Sequence, residues 1–232
     1  MNTSEILTEF IEDTGKTVSD RTLNKYKDAI DLFALFLRDT KYDENEDLEY
    51  DVKEEQKRVL AALDFDFSEV TSEAIEQFLG YFLIRKVMDT ISFKDDVSKR
   101  MHKFVKWAYQ KGYMSKENYE DCEPMVKRLK TDVRLAEELF FVLADYVDED
   151  QPENCEEESY EDYFQIKKVT PGKLYLESIY PFGDELDEEI IVKVPEKISS
   201  MCKADWQIYM EIAKCGPEWK ILMSGSVYPI PY

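Results

Sequence analysis

The sequence predicts an α+β protein of two domains. Apolar residues recur at helical spacing as far as about residue 144, and they alternate with period two after residue 163. A strongly acidic stretch without apolar periodicity lies between these parts. We therefore predict an all-α helical bundle over residues 1–144, a solvated acidic linker over 145–162, and a small β-barrel of SH3-like or OB-like type over 163–232.

The first helices of the bundle are each marked by one apolar stripe. A short helix is predicted from Ser4 to Asp13, and a longer one begins at Ser19. The stripe of the longer helix advances by three and four positions, through Leu23, Tyr26, Ile30, Phe33 and Leu37. An acidic run from Asp43 to Asp47 follows. It is either a solvated loop or a functional face, which would repel DNA on that side or bind a basic partner. A further helix is predicted from Val52 to Leu63.

A helical hairpin from Thr71 to Met114 is the best-defined part of the bundle. Its two apolar stripes are Ile75, Phe78, Leu79 and Phe82, then Val97, Met101, Phe104 and Ala108. Ser92 is placed to cap the second helix, predicted from Ser92 to Lys111, and Gly112 is placed to end it. Gly80 inside the first helix costs roughly 1 kcal/mol relative to alanine and indicates a close helix crossing.

Two more helices and five strands complete the predicted elements. One helix is predicted after Ser115 as far as Lys130, either interrupted or bent near Pro124, and the next begins at Asp132. The strands are marked by alternating apolar residues around Phe164, Leu174, Val192, Ile208 and Ile221, and a helical turn is predicted from Ile198 to Cys202. Six aromatic residues of this part form either a surface platform or core, namely Tyr163, Tyr175, Tyr180, Phe182, Tyr209 and Tyr228.

Charge is distributed unevenly along the chain. The net charge is −21, yet residues 85–130 carry +5 and are the only positive segment. Within them, Lys99, Lys103 and Lys106 stand at i, i+4 and i+7 on the predicted helix, with Arg100 beside them. This face is either an ordinary solvated surface or a surface that contacts phosphates.

Part of the chain resembles the core-binding domain of the phage integrase family of tyrosine recombinases. The resemblance rests on Phe104 to Trp107, Gly112 to Met114 and the polar Ser115 to Asn118. Upstream it includes Ser19, Thr22, Tyr26, Ile30, Phe33, Phe36 and Leu37, so that it covers about residues 1–130. It implies a four-helix region that clamps one side of a DNA duplex, with Lys99, Arg100, Lys103 and Lys106 on the DNA-facing helix.

Catalytic chemistry is not expected. The recombinase pattern His-x-x-Arg is absent, because His102 is followed by Lys103, Phe104 and Val105. No phosphate loop, nucleophile elbow or His-Glu-x-x-His motif occurs. The acidic pairs Asp95/Asp96 and Asp64/Asp66 are expected to arise by chance in a chain with 51 acidic residues. We therefore expect no enzyme activity, no metal and no cofactor.

Two functions remain as hypotheses. The first is a non-catalytic DNA-associated protein that contacts duplex phosphates through the helix Ser92 to Lys111. The alternative is an acidic protein–protein interaction adaptor that has lost DNA binding and takes a basic partner. Without a signal peptide or a membrane span in the sequence, we expect a cytoplasmic protein. Its cysteines are expected to be reduced structural thiols, at Cys122, Cys155, Cys202 and Cys215.

Overall fold

A computed structural model describes residues 2–41, 62–149, 152, 155–180 and 190–231. The chain is a mixed α+β protein, in which helices precede a five-stranded sheet, as predicted. It forms two compact units, the first from Met1–Leu83 and Ser92–Thr131 and the second from Ile84–Ile91 and Asp132–Tyr232. Outside the described residues lie the acidic run from Asp43 to Asp47, residues 52–61 of the helix predicted there, and Phe182.

The described helices are numbered here in chain order. They are α1 (Thr3–Gly15), α2 (Asp20–Lys41), α3 (Ser72–Gln77), α4 (Leu83–Arg85), α5 (Ile91–Gln110), α6 (Lys116–Glu149) and α7 (Glu196–Met201). A 3₁₀ turn at Phe67–Glu69 precedes α3, and a π turn at Phe78–Phe82 lies between α3 and α4. No helix within the described ranges has the length and hydropathy that a membrane crossing requires.

A cluster of buried phenylalanines forms the core of the first unit. The ring of Phe104 on α5 lies 5.1 Å from that of Phe10, 6.0 Å from that of Phe33 and 5.8 Å from that of Phe67, measured between centroids. Such aromatic pairs contribute about 0.5–1.5 kcal/mol each beyond the area that they bury. The apolar stripes predicted for α2 and α5 are therefore confirmed at Phe33 and Phe104. They fix which face of α5 points away from the core.

The hairpin differs from its prediction in two details. Helix α5 begins at Ile91, so Ser92 lies inside the first turn rather than at the cap, and Asp89 Oδ1 instead accepts a hydrogen bond from the Thr90 backbone N–H at 2.6 Å. Gly80 is buried within the π turn. The i to i+5 hydrogen bonds of a π turn cannot be predicted from the spacing of the apolar residues. The end of α5 is as predicted, since Gly112 has a φ of 79°.

Helix α6 is continuous, and the prediction of two helices separated near Thr131 is wrong. Its 34 residues include Pro124, and its buried positions keep helical spacing across the predicted break. These positions are Cys122, Val126, Leu129, Val133, Ala136, Leu139 and Leu143. An uninterrupted apolar stripe of this kind favours a single helix, which outweighs the one hydrogen bond that Pro124 cannot donate.

The acidic segment 145–162 is not a solvated linker. Helix α6 continues to Glu149, and the first strand begins at Cys155. Most of the described residues in this segment therefore belong to a helix or a strand. High charge predicted a coil here, but charged side chains are compatible with an exposed helix face and an exposed strand face.

The five predicted strands are all present, and they contain Phe164, Leu174, Val192, Ile208 and Ile221 respectively. They are β1 (Cys155–Thr170), β2 (Lys173–Ser178), β3 (Ile190–Lys193), β4 (Gln207–Cys215) and β5 (Glu218–Tyr228). All pairings are antiparallel except that of β3 with β5, which meet in parallel at Val192 and Trp219. The order β1-β2-β3-β5-β4 closes on itself, because β4 also pairs with β1.

The prediction that all cysteines are reduced thiols is wrong for one pair. Cys155 and Cys215 face each other across β1 and β4 and form a disulfide. They are 60 residues apart in sequence, and only the long-range pairing of the two strands brings them together. Cys122 and Cys202 are free and buried.

Candidate functional site

The four side chains predicted to contact phosphates lie on α5 in different surroundings. Lys99 and Lys103 are exposed, and the side chain of Lys106 is 44% exposed. The side chain of Arg100 is only 15% exposed. The three lysines therefore point to solvent from the face of α5 opposite Phe104, whereas Arg100 is directed toward neighbouring structure.

Arg100 helps to join α5 to α2. Its Nη1 donates to Asp96 Oδ1 at 2.7 Å, and its guanidinium lies 5.5 Å from the ring centre of Tyr26 on α2. Asp96 also accepts a hydrogen bond from Lys25 of α2. Burial alone would raise the pKa of Asp96, but the Lys25 hydrogen bond and the Arg100 charge hold that pKa below its usual value. The arrangement fits a structural role for Arg100.

Two of the three lysines already have carboxylate partners. Lys99 pairs with Asp95 one turn earlier, and Lys106 Nζ lies 3.7 Å from Glu123 Oε1 on α6. Exposed pairs of this kind contribute little to stability and exchange readily with solvent ions. Lys103 differs, because no carboxylate among the described residues lies at ion-pair distance from it.

Helix α6 adds two lysines that the sequence analysis missed. Lys127 and Lys130 follow Glu123 at i+4 and i+7, so the three share one face of α6. Glu123 contacts α5 at Lys106 and at His102, whose Nε2 lies 3.5 Å away. No described carboxylate lies at ion-pair distance from Lys127 or Lys130. Helical spacing in the sequence would have shown that Lys127 and Lys130 share a face of α6, but not that this face lies beside α5.

The environment of His102 supports this arrangement. Burial lowers the pKa of His102, the nearby Glu123 carboxylate opposes that change, and the charges of Lys106 and Lys130 lower it further. His102 is therefore neutral at pH 7, and Lys130 is close enough to act on it. We call Lys99, Lys103, Lys106, Lys127 and Lys130 the lysine surface.

The lysine surface is bordered by a stacked aromatic pair. The rings of Tyr109 on α5 and Tyr119 on α6 lie 4.1 Å apart with an interplanar angle of 7°. Tyr109 is three residues beyond Lys106 and lies on the same face of α5. Tyr119 is four residues before Glu123 and lies on the same face of α6. Stacking of these rings helps to hold the end of α5 against the start of α6.

The aromatic residues of the second unit do not form one platform. Tyr163 packs against Tyr209 and Tyr228, with centroids 5.0 and 5.8 Å apart, and Tyr228 is 1% exposed. Tyr180 is exposed, and Tyr175 lies under Lys168. These residues divide between core and separate surface positions.

The acidic residues that the sequence analysis considered as metal ligands do not form a metal centre among the described residues. Within the described parts of the chain, no group of three or more His, Cys, Asp or Glu side chains is placed to hold a metal ion. Comparison with protein-family models, characterised proteins and solved structures gives no match to this chain. The integrase resemblance therefore stays a prediction from residues such as Phe104, Trp107 and Gly112.

Proposed function

We propose that this protein associates with duplex DNA without cutting it, through phosphate contacts made by the lysine surface. The observation that carries the proposal is that Lys103, Lys127 and Lys130 share this surface and have no carboxylate at ion-pair distance among the described residues. An ammonium group without a fixed partner is available to displace counterions from phosphate, which is the main source of non-specific affinity for DNA.

The size of the lysine surface suits several phosphates. Seven residues separate Lys99 from Lys106, which corresponds to about 10 Å along a helix axis. A DNA strand carries one phosphate per roughly 3.4 Å of duplex axis, so the lysines of one helix span about three phosphates. Lysine contacts to phosphate give affinity and position with little sequence preference.

The finer assignments of fold support the same function. The residues that resemble an integrase core-binding domain lie on α2, on α5 and at the start of α6. The lysine surface includes residues of α5, the helix that the resemblance implies to face DNA. We assign the second unit, with its closed strand order, to the small barrels of SH3-like or OB-like type. Barrels of this size serve many kinds of binding, so the proposal rests on the lysines.

A specific observation favours the alternative, an acidic adaptor for a basic protein partner. The positive charges of Lys99 and Arg100 are compensated within the chain by Asp95 and Asp96. The chain as a whole carries a charge of −21, which repels a duplex at distances within the screening length. This alternative predicts that DNA binding is absent even at low salt.

A fluorescence-anisotropy titration of labelled duplex DNA with the full chain separates the two proposals. We expect binding that weakens roughly a hundredfold between about 50 and 200 mM salt if about four phosphates are contacted. The double variant Lys103→Glu/Lys127→Glu should abolish binding. The control Lys27→Glu/Lys197→Glu changes the net charge equally at exposed positions outside the lysine surface.

Three outcomes are informative. Loss of binding in the first variant with retention in the control supports phosphate contacts by the lysine surface. Equal weakening in both variants would show that only net charge matters and would overturn the assignment of the site. Absence of binding by the unmodified chain at low salt overturns the DNA proposal and favours the adaptor.

A further inference from the structure

The stacked rings of Tyr109 and Tyr119, here called the tyrosine pair, remain accessible to solvent beside the lysine surface. The two rings are 4.1 Å apart and nearly parallel, with an interplanar angle of 7°. Stacking covers one face of each ring, yet Tyr109 is still 36% exposed and Tyr119 is half-buried. Both residues belong to the first unit, as do all members of the lysine surface.

The tyrosine pair lies at one end of a row of ammonium groups. Tyr109 meets Tyr119, and Lys106 meets Glu123, so residue numbers fall along α5 as they rise along α6. Moving away from the tyrosine pair, α5 presents Lys106, Lys103 and Lys99, and α6 presents Lys127 and Lys130. The helical rise places Lys106 about 4.5 Å and Lys103 about 9 Å along the axis from Tyr109.

The charges beside the tyrosine pair do not oppose a bound phosphate chain. Burial raises the pKa of Tyr119, and the charge of Glu123 raises it further, so Tyr119 is neutral at pH 7. Glu123 Oε1 lies 3.7 Å from Lys106 Nζ, which compensates this carboxylate. Lys103 and Lys127 lie beyond this ion pair, and no described carboxylate is at ion-pair distance from either of them.

A flat aromatic surface beside a row of lysines suits a DNA strand that has left the double helix. Inside a duplex, neighbouring base pairs cover both faces of each base, so a tyrosine ring can stack only on a base that is unpaired. Proteins that bind single strands combine such aromatic surfaces with positive charge along the backbone. Every base has a flat face, so this stacking tolerates any sequence, as lysine contacts to phosphate do.

We infer that the first unit binds DNA at a junction between duplex and single strand, with an unpaired base stacked on the tyrosine pair. The phosphates that adjoin this base are held first by Lys106 and then by Lys103 and Lys127. The inference rests on the proposed association with duplex DNA, and it narrows the substrate to duplexes that have a single-stranded end or interruption.

Three DNAs that share one duplex test the inference on the full chain, by fluorescence anisotropy at about 50 mM salt. The first DNA is blunt, the second has a short thymidine overhang, and the third has an abasic overhang with the same number of phosphates. We expect the thymidine overhang to bind about tenfold more tightly than the abasic one, because only the former can stack. Overhangs at the 3′ and 5′ ends are tested separately, and a preference at either end supports the inference.

Substitutions at Tyr109 separate stacking from charge. Tyr109→Ala should bind the thymidine and abasic overhangs equally, whereas Tyr109→Phe keeps the ring and should keep the preference. Tyr109→Leu, which retains an apolar contact with Tyr119, should behave as Tyr109→Ala does and replaces it if that variant does not fold. Tyr180→Ala, at an exposed tyrosine of the second unit, is the control and should leave the preference unchanged.

The inference and the proposed function fail in different ways. Equal affinity of the unmodified chain for thymidine and abasic overhangs, with blunt DNA still bound, overturns the inference and leaves the duplex proposal standing. A preference that survives Tyr109→Ala in a variant shown to be folded by circular dichroism also overturns it, because the tyrosine pair then has only a structural role. If none of the three DNAs binds, both proposals are overturned.

Discussion

In the second unit, the Lys203 ammonium donates a hydrogen bond to Asp132 Oδ1 at 2.6 Å. Asp132 on α6 is 1% exposed, whereas the side chain of Lys203, between α7 and β4, is 47% exposed. The Lys203 ammonium also lies 5.5 Å from the ring centre of Trp206. One surface lysine thus compensates a buried carboxylate and covers a core tryptophan.

Replacement of this lysine should destabilise the second unit. Lys203→Met keeps most of the apolar stem but removes the ammonium group that donates to Asp132. We expect a loss of about 1.5–3 kcal/mol in the free energy of unfolding, the usual cost of removing a partner from a buried charged group. Urea unfolding, followed by circular dichroism, measures this free energy of unfolding. Lys197→Met is the control at an exposed lysine, and an equal loss there would contradict the explanation.

Acid should weaken the contact between α1 and the end of α5. Lys111 Nζ lies 2.9 Å from Glu9 Oε1 and 2.6 Å from Asp13 Oδ2, and Tyr113 donates to Glu9 Oε2 at 2.6 Å. The hydrogen bond from Lys111 is the main cause that lowers the pKa of both Glu9 and Asp13. The lysine therefore favours the ionised form of both carboxylates in the folded chain.

The direction of the pH dependence follows from these pKa values. The unfolded chain protonates such carboxylates near pH 4, while the folded chain does so only at lower pH. Stability from this contact is therefore complete above about pH 5 and is lost as the pH falls toward the folded pKa values. Thermal unfolding between about pH 6 and 2 should show a smaller decrease in Tm for Lys111→Met than for the unmodified chain.

A control at an exposed lysine is needed because any loss of positive charge changes acid stability. Lys27→Met on α2 alters the net charge equally. If Lys27→Met and Lys111→Met flatten the pH dependence to the same extent, the effect comes from net charge and the specific role of Lys111 is wrong.

Thiol reactivity should reveal three levels of access to the cysteines. Burial raises the pKa of Cys122 and of Cys202 to about 12, so neither is ionised or reactive in the folded protein. A colorimetric thiol reagent should therefore detect no thiol in the native chain, two after denaturation without reductant and four after denaturation with reductant. Four thiols without reductant would show that Cys155 and Cys215 are not joined.

Local periodicity accounts for the elements that were predicted correctly. Phe33 and Phe104 lie on stripes with steps of three and four residues, and such stripes are buried in almost any packing of amphipathic helices. The strands around Leu174 and Ile212 alternate with period two, which requires one face to be buried. These features depend on neighbours within one element, and the sequence alone determines them.

The features that were missed depend on contacts between distant residues. The disulfide of Cys155 with Cys215 needs the β1 and β4 register, and the inward turn of Arg100 needs Tyr26 on another helix. Lys127 and Lys130 join the α5 lysines only because Glu123 brings the two helix faces together. Spacing within a segment carries no information about which segments meet.

A close approach between β4 and β5 gives a test of packing in the sheet. A Cβ added at Gly225 would lie 2.8 Å from Tyr209 Cδ1 and 3.4 Å from the Tyr209 backbone oxygen. Tyr209 is itself restrained, since its hydroxyl donates to Glu161 and its ring packs on Tyr163. We expect Gly225→Ala to lower the free energy of unfolding by about 1–3 kcal/mol, the usual cost of overpacking.

The neighbouring Ser226→Ala is the control for this substitution, because it removes atoms in the same strand rather than adding them. Urea unfolding of both variants measures the difference. The double variant Gly225→Ala/Tyr209→Ala separates the ring clash from a general intolerance of β5 to substitution. If the clash is the cause, Gly225→Ala should cost much less in the Tyr209→Ala background, and an unchanged cost would contradict this account of the packing.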